Sequence, residues 1–290
     1  MMKTLVGVNI PGGTNLGALD AALARIAADG FDAAELNLSS CPLIIGGKVQ
    51  PLVLQYVSDV LAKYPLKITA HAGYGMDLRN LADQEMQRAV LFASIDVCAA
   101  LHLSPLNCHY EEFSRRSAEE NAYLSNMKEA AAYAEAKGVL INVENIEVED
   151  VRYALEAVQK IGHPNCGMTL DLGHLYLSSR YFGYDFLDAV RTCAPFVRHL
   201  HINDNHGIFE PMRIENHLLY DTLDRGYCFA SSRGDIHIPP FWGDVPLKAA
   251  FSELKKVNYS GVWLCEYYSH LFHPLNGAIL AEVRRQIEQA

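Results

Sequence analysis

The chain has 290 residues, half of them hydrophobic, and a formal net charge of −10. That balance disfavours a generic polyanion binder, although clustered carboxylates cease to be net negative once loaded with divalent metal. Seven cysteines without a Cys-x-x-Cys pair, no signal-peptide core and no membrane-length apolar run lead us to expect a soluble, cytoplasmic protein with reduced thiols and no membrane partner.

Residues 4–10 read as a first apolar strand. A helix follows over 16–28, with Leu19, Leu23 and Ile26 at helical spacing and Gly30 as its stop. A second strand runs over 31–38, then a helix over 52–62, a third strand over 67–71, a loop with Gly73 and Gly75, and a long helix from about 82 to 101. The fourth strand covers 105–109. Its helix starts at Ser117, with Glu120 three residues on as a capping box, and Gly138 closes it. Strand five (139–144) leads to a helix over 148–160, and strand six (166–171) opens into a loop before a helix over 184–192. Strand seven spans 197–203, a long polar and aromatic segment runs from 204 to 244, and a helix covers 246–256. Strand eight (262–266) and a closing helix (278–287) complete the pattern. Eight strand-then-helix units of this total length predict one α/β domain over residues 1–290, a (β/α)8 TIM barrel with a long loop after strand seven. An open doubly wound sheet would favour a Gly-x-Gly-x-x-Gly turn after strand one, which Pro11-Gly12-Gly13 does not supply.

In such a barrel the last inward residues of the strands share one ring at the mouth. Strands three to eight offer His71, His109, Glu144, Asp171 with His174 just beyond, His201 and Glu266, and the far end of the long segment adds Asp235 and His237. These nine residues are all imidazoles or carboxylates. One divalent ion uses about four to six such groups, so nine suggest a multinuclear cluster of zinc or manganese. A lone histidine at a strand end is more often structural. Glu144 and Glu266, however, each end a hydrophobic strand, where an unpaired carboxylate is costly to bury. His199 is expected one layer deeper than His201, and His102, His163, His217, His270 and His273 are expected to be structural or exposed. Asn107, Asn142 and Thr169 should face inward below the ring, while Cys108 and Cys265 face the helices. Candidate substrate contacts are Glu35 and Asn37 from strand two and Tyr74 and Trp242 at the mouth. Residues 204–244 are too apolar for a solvated linker and should form a lid over the mouth or a contact between subunits of a homo-oligomer.

The motifs Val143-Glu144-Asn145, Leu170-Asp171-Leu172-Gly173-His174, His201-Ile202-Asn203-Asp204, Gly234-Asp235-Ile236-His237 and Cys265-Glu266 resemble those of the xylose isomerase-like TIM barrels over essentially the whole chain. That superfamily includes sugar and sugar-phosphate isomerases and epimerases, inosose dehydratases and endonuclease IV. In the isomerase branch the resemblance implies a metal site of Glu144, Asp171, His201 and Glu266, with the two glutamates also moving the proton. In the endonuclease IV branch it implies a trinuclear zinc site on all nine residues and cleavage at abasic DNA. The loop 71–78 is similar to the sugar-isomerase style. Across 206–234, Arg213, Arg225 and Arg233 are offset by Glu210, Glu215, Asp221 and Asp224, so no basic DNA-binding patch is visible. The expectation is therefore a metal-dependent isomerase or epimerase of a small sugar, polyol or sugar phosphate, with Glu144 and Glu266 catalytic. Abasic-site phosphodiester hydrolysis is the alternative.

Overall fold

The structure, a computed structural model, describes residues 4–73, 75–110 and 112–290. Eight parallel strands close into a barrel in chain order: β1 (Val6–Asn9), β2 (Ala33–Asn37), β3 (Lys67–His71), β4 (Leu106–His109), β5 (Ile141–Glu144), β6 (Cys166–Asp171), β7 (Val197–Ile202) and β8 (Trp263–Cys265). β8 pairs with β1 to close the ring, through Val6 with Trp263 and Val8 with Cys265. A short antiparallel hairpin, Ile44–Ile45 with Lys48–Val49, sits outside it and was not anticipated.

The helices form because their apolar residues recur on one face. Val151–Ile161 buries Val151, Ala154, Leu155, Val158 and Ile161 against the barrel, starts at Asp150, whose side chain accepts from the Arg152 amide, and stops at left-handed Gly162. Cys108 and Cys265 are buried on the outer, helix-facing side, and none of the seven cysteines is disulfide-bonded. Among the described residues no helix is long and apolar enough to cross a membrane.

Inside the barrel two chemistries are stacked. The floor is apolar: Ala33, Val262 and Leu264 pack with Leu5, and Leu264 lies so close to Gly7 that a Cβ there would sit 2.9 Å from its Cδ1. Above the floor the interior turns polar. Asn142 donates to Thr169, Thr169 to Asn107, and Asn107 to Glu35, all inward as expected.

Two local expectations need correction. Strand six does not open into a loop: Asp171 caps a helix, Leu172–Phe182, by accepting from the His174 amide at 2.6 Å, and a second helix, Phe186–Cys193, follows. Ser117 makes no capping box, because Glu120 is drawn instead to Arg79 and to the Ser114 amide. The segment 204–244 is ordered by three short helices (Met212–Glu215, His217–Tyr220 and Arg225–Ser231) and tied at its base by paired Asp204 and Ile238. It leans over the barrel mouth, where Arg213 bonds Glu147 at 2.6 Å and Phe209 stacks on Tyr181.

Candidate metal centre

The strand ends bring all nine expected ligand-type residues together in three contiguous groups. His71, His109 and Glu144 form one, Glu144, Asp171, His201 and Glu266 the second, and His174, Asp235 and His237 the third. Within each group one nitrogen or oxygen per residue lies within 4.8 Å of the others, and Glu144 is shared by two of them. Glu144, Asp171 and His201 are fully enclosed, whereas Glu266, Asp235 and His237 are each partly exposed.

The motif residues explain how the chain builds this. Asn145 bridges β5 to β6: its side-chain oxygen accepts from the Asp171 amide and its side-chain nitrogen donates to the Asp171 carbonyl, both at 3.0 Å. Its own carbonyl then accepts from His174 Nδ1 at 3.0 Å. Asn203 donates to Asp171 Oδ2 at 2.9 Å and approaches the next turn so closely that a Cβ on residue 173 would sit 1.8 Å from its Oδ1. Only glycine fits there.

The donor set fits divalent cations. His71, His174 and His237 each donate Nδ1–H to a backbone carbonyl, of Ala72, Asn145 and Glu266 respectively, so each turns Nε2 into its group. His201 is reversed. Its Nδ1 faces Glu144 at 2.8 Å and Glu266 at 3.0 Å, and its Nε2 lies 2.9 Å from Glu35. The Nε2 atoms of His71 and His109 are 3.1 Å apart, a spacing at which two imidazole nitrogens must share either a proton or a cation. Three buried carboxylate oxygens point into these groups: Glu144 Oε2 and Glu266 Oε2 face only imidazole nitrogens, His71 Nε2 at 3.3 Å and His201 Nδ1 at 3.0 Å, and Asp235 Oδ1 has no hydrogen-bond partner among the described residues.

Electrostatics within the cluster are mutual. Burial raises the pKa values of Glu144 and Glu266, but the neighbouring His201 charge outweighs it and holds both below the ordinary range. Burial wins at Asp171, whose carboxyl is pushed up to about 7. Burial depresses His71, yet bonding to Glu144 carries it up to about 9, and His237 rises to about 10 against burial because of Asp235. His109 is held near 4 by burial and by the His71 charge beside it, which keeps it a neutral imidazole.

Above the cluster lies a cavity of about 880 Å³, lined by His71, His109, His174, Asp235, His237 and Glu266 on the barrel side. The proposed substrate contacts fare differently. Glu35 is buried below the ring, taken up by Thr69, Asn107, His199 and His201, so it braces a candidate ligand and does not reach the opening. Asn37 turns its oxygen to the Ser39 amide, and Trp242, half exposed, packs edge-on to Phe272; neither lines the cavity. Tyr74 lies outside the described residues. His199 is one layer beneath His201, as expected, but His217 and His270 line the cavity along with Arg213, Arg225 and Arg233. Sequence reading missed these basic residues as site residues, because Arg213, His217 and Arg225 sit on helices of one or two turns and Arg233 and His270 on irregular stretches, none long enough to show a periodicity.

Comparison with known proteins adds three findings. The family model for the xylose isomerase-like TIM barrel matches residues 23–288. No curated protein matches the chain. Among solved structures, D-allulose 3-epimerase from Methylomonas sp. superposes with a TM-score of 0.70 at 17% identity, covering 99% of each chain. D-psicose 3-epimerase from Clostridium cellulolyticum H10, solved with D-tagatose, gives 0.73 at 14% identity over 98% of this chain and 99% of that one. A xylose isomerase-like TIM barrel protein from Mycobacterium smegmatis, in complex with magnesium, gives 0.73 at 15% identity over 99% and 100%.

Proposed function

This chain belongs to the xylose isomerase-like TIM barrel family, and from that premise we propose that it is a divalent-metal-dependent epimerase or isomerase of a small sugar, polyol or sugar phosphate. The observation that carries the reading is the group Glu144, Asp171, His201 and Glu266, in which two carboxylates from separate strands converge on one imidazole nitrogen at the base of a cavity. The sugar 3-epimerases among the solved neighbours support it.

These four residues would hold the ion, which supplies Lewis-acid polarisation of a carbonyl and its neighbouring hydroxyl and so acidifies the adjacent C–H. Glu266, at the cavity wall, takes the proton, and Glu144, enclosed between His71 and His201, returns one from the other side. The His201 charge favours the ionised form of each, so Glu266 begins as the carboxylate that accepts a proton and Glu144 ends as one after giving its own; His201 is in turn oriented by Glu35. The segment 204–244 covers the cavity and limits water. Zinc or manganese is the ion we favour for this set of nitrogen and oxygen donors.

The three-group arrangement also suits a second reading, metal-dependent hydrolysis of a phosphodiester at abasic DNA. The covered cavity and a net charge of −10 speak against a duplex substrate. Cleavage of an oligonucleotide bearing one abasic site, with and without chelator, separates the two. The first reading is tested by incubation in deuterated water with a panel of ketoses, inososes and their phosphates. Deuterium should appear at the carbon next to the carbonyl, and chelator or Glu266→Gln should abolish it. Absence of exchange across the panel would sink the epimerase.

A further inference from the structure

The cavity is roomier than a single monosaccharide requires, since volumes of roughly 300–1,000 Å³ ordinarily house drug-sized ligands. Its outer wall carries three guanidinium groups, two of which are neutralised. Arg213 pairs with Glu147 at 2.6 Å and Arg233 with Glu210 at 3.1 Å. Arg225 has no carboxylate and no hydrogen-bond acceptor among the described residues; its guanidinium rests 4.2 Å over the ring of Tyr268. The nearest acid in sequence, Asp224, is turned away to accept from the Tyr227 amide. Asp221 is within 3.3 Å of His217, Asp235 is taken up by His174 and His237 and Glu266 by His201, and Asp77 and Glu112 come from the loops after β3 and β4, across the ring from β8.

Tyr268 is the hub of this corner. It follows β8, its ring centroid is 5.9 Å from that of His237, and His270 meets it edge-on at 6.2 Å. Arg225 is therefore separated from a candidate metal ligand by no more than those two ring contacts placed end to end. Burial, and then the Arg225 charge, hold His270 below its ordinary pKa, so it stands beside Arg225 as a neutral imidazole with one N–H to give. An aromatic face fixes a guanidinium while leaving its planar N–H edge to bind an oxyanion bidentately.

We propose that Arg225, seated on Tyr268 with His270 beside it, is a subsite for an oxyanion carried by the substrate, so that the sugar handled here bears a phosphomonoester or a carboxylate at the end remote from the reacting carbon. The proposal rests on the sugar-epimerase reading but is tested apart from it. Inorganic phosphate is titrated calorimetrically into the full-length protein as purified, with metal content measured, for wild type, Arg225→Gln and Arg225→Lys. Loss of a charge-assisted bidentate contact should weaken phosphate by about tenfold or more in Arg225→Gln and by less in Arg225→Lys. Phosphate affinity within twofold of wild type in Arg225→Gln, at equal metal content, overturns the subsite even if the protein epimerises neutral sugars. Weakened phosphate without turnover of any sugar keeps the subsite and removes the epimerase. For an active enzyme, KM should rise in Arg225→Gln for anionic sugars only, and comparison of ketose phosphates with ketouronates identifies which oxyanion the subsite takes.

Discussion

Glu35 gives the sharpest test of how the barrel interior serves the site. Its carboxylate touches no cavity, yet Oε1 lies 2.9 Å from His201 Nε2, while Oε2 accepts from Thr69 at 2.9 Å and Asn107 at 2.6 Å. Burial alone would raise its pKa, but the charges of His201 and His199 hold it well below the ordinary carboxylate range. Glu35 thus remains an anion facing the far nitrogen of His201, which holds a proton there and keeps Nδ1 turned to Glu144 and Glu266, where a bound cation would take the place of the Nδ1 proton. Glu35→Gln keeps the size and removes the charge. Outer carboxylates of this kind contribute about tenfold to a hundredfold in metal affinity, or about 1.4–2.7 kcal/mol. The loss should fall on one ion only, that of Glu144, Asp171, His201 and Glu266. Competition with a fluorescent chelator measures each affinity in turn, and circular dichroism verifies that the variant is folded. Wild-type affinity at every site in Glu35→Gln would refute the reasoning, and so would an equal loss at all sites, which would point to general loosening of the barrel.

Two further outcomes follow from the geometry. His237→Ala removes a residue of the outermost group and the bond that joins the segment 204–244 to the Glu266 carbonyl, so elemental analysis should show about one fewer ion per chain than wild type and limited proteolysis should cut within that segment; unchanged metal content refutes the assignment. Glu149, which accepts from the Phe113 amide, is pushed by burial from 4.5 up to about 7, so the folded chain binds its proton more tightly than the unfolded chain. Its contribution to stability is full below the ordinary carboxyl range and is lost as pH rises towards 7 and beyond. Glu149→Gln should therefore melt at a higher temperature than wild type at pH 8 and together with it near pH 4.5; a gap of the same size at both pH values contradicts the shift.

The ring of ligand-type residues was legible because apolar strands that end in His, Asp or Glu are rare for any other reason, and alternation alone decides that Glu144 and Asp171 point inward. Height within the barrel was not legible. Glu35 and Asn37 share a parity, but β2 pairs with β3 so that Glu35 lies level with Thr69 and Asn37 with His71. That stagger belongs to the closed barrel and no single strand encodes it, so Glu35 looked like a substrate contact when it is a brace. Trp242 was misplaced for a related reason: an aromatic residue in an irregular segment has no period from which to read a direction, and Phe272, thirty residues on, decides it. The helix at Asp171 was hidden because its first turn, Leu172-Gly173-His174, begins without a break from the strand, and Gly173 reads as a breaker when it is there to admit Asn203.

The polar layer between floor and site also bears on why this barrel is not filled with aliphatic side chains. A buried carboxylate such as Glu35 costs several kcal/mol in isolation, and its donors Thr69 and Asn107 would cost more if left without it. Packed hydrophobic residues of the same volume would make the interior more stable. They would also leave His201 Nε2 with no acceptor and Nδ1 with no fixed tautomer, and the two glutamates that converge on Nδ1 would lose the charge that keeps them ionised. The chain Asn142, Thr169, Asn107, Glu35 and His201 therefore links strands β2, β4, β5, β6 and β7 through side chains alone, so a change at any member alters both the barrel's stability and the orientation of one candidate ligand. Fold and site share these residues, and the stability forgone in the interior appears at the mouth as a histidine that can face only one way.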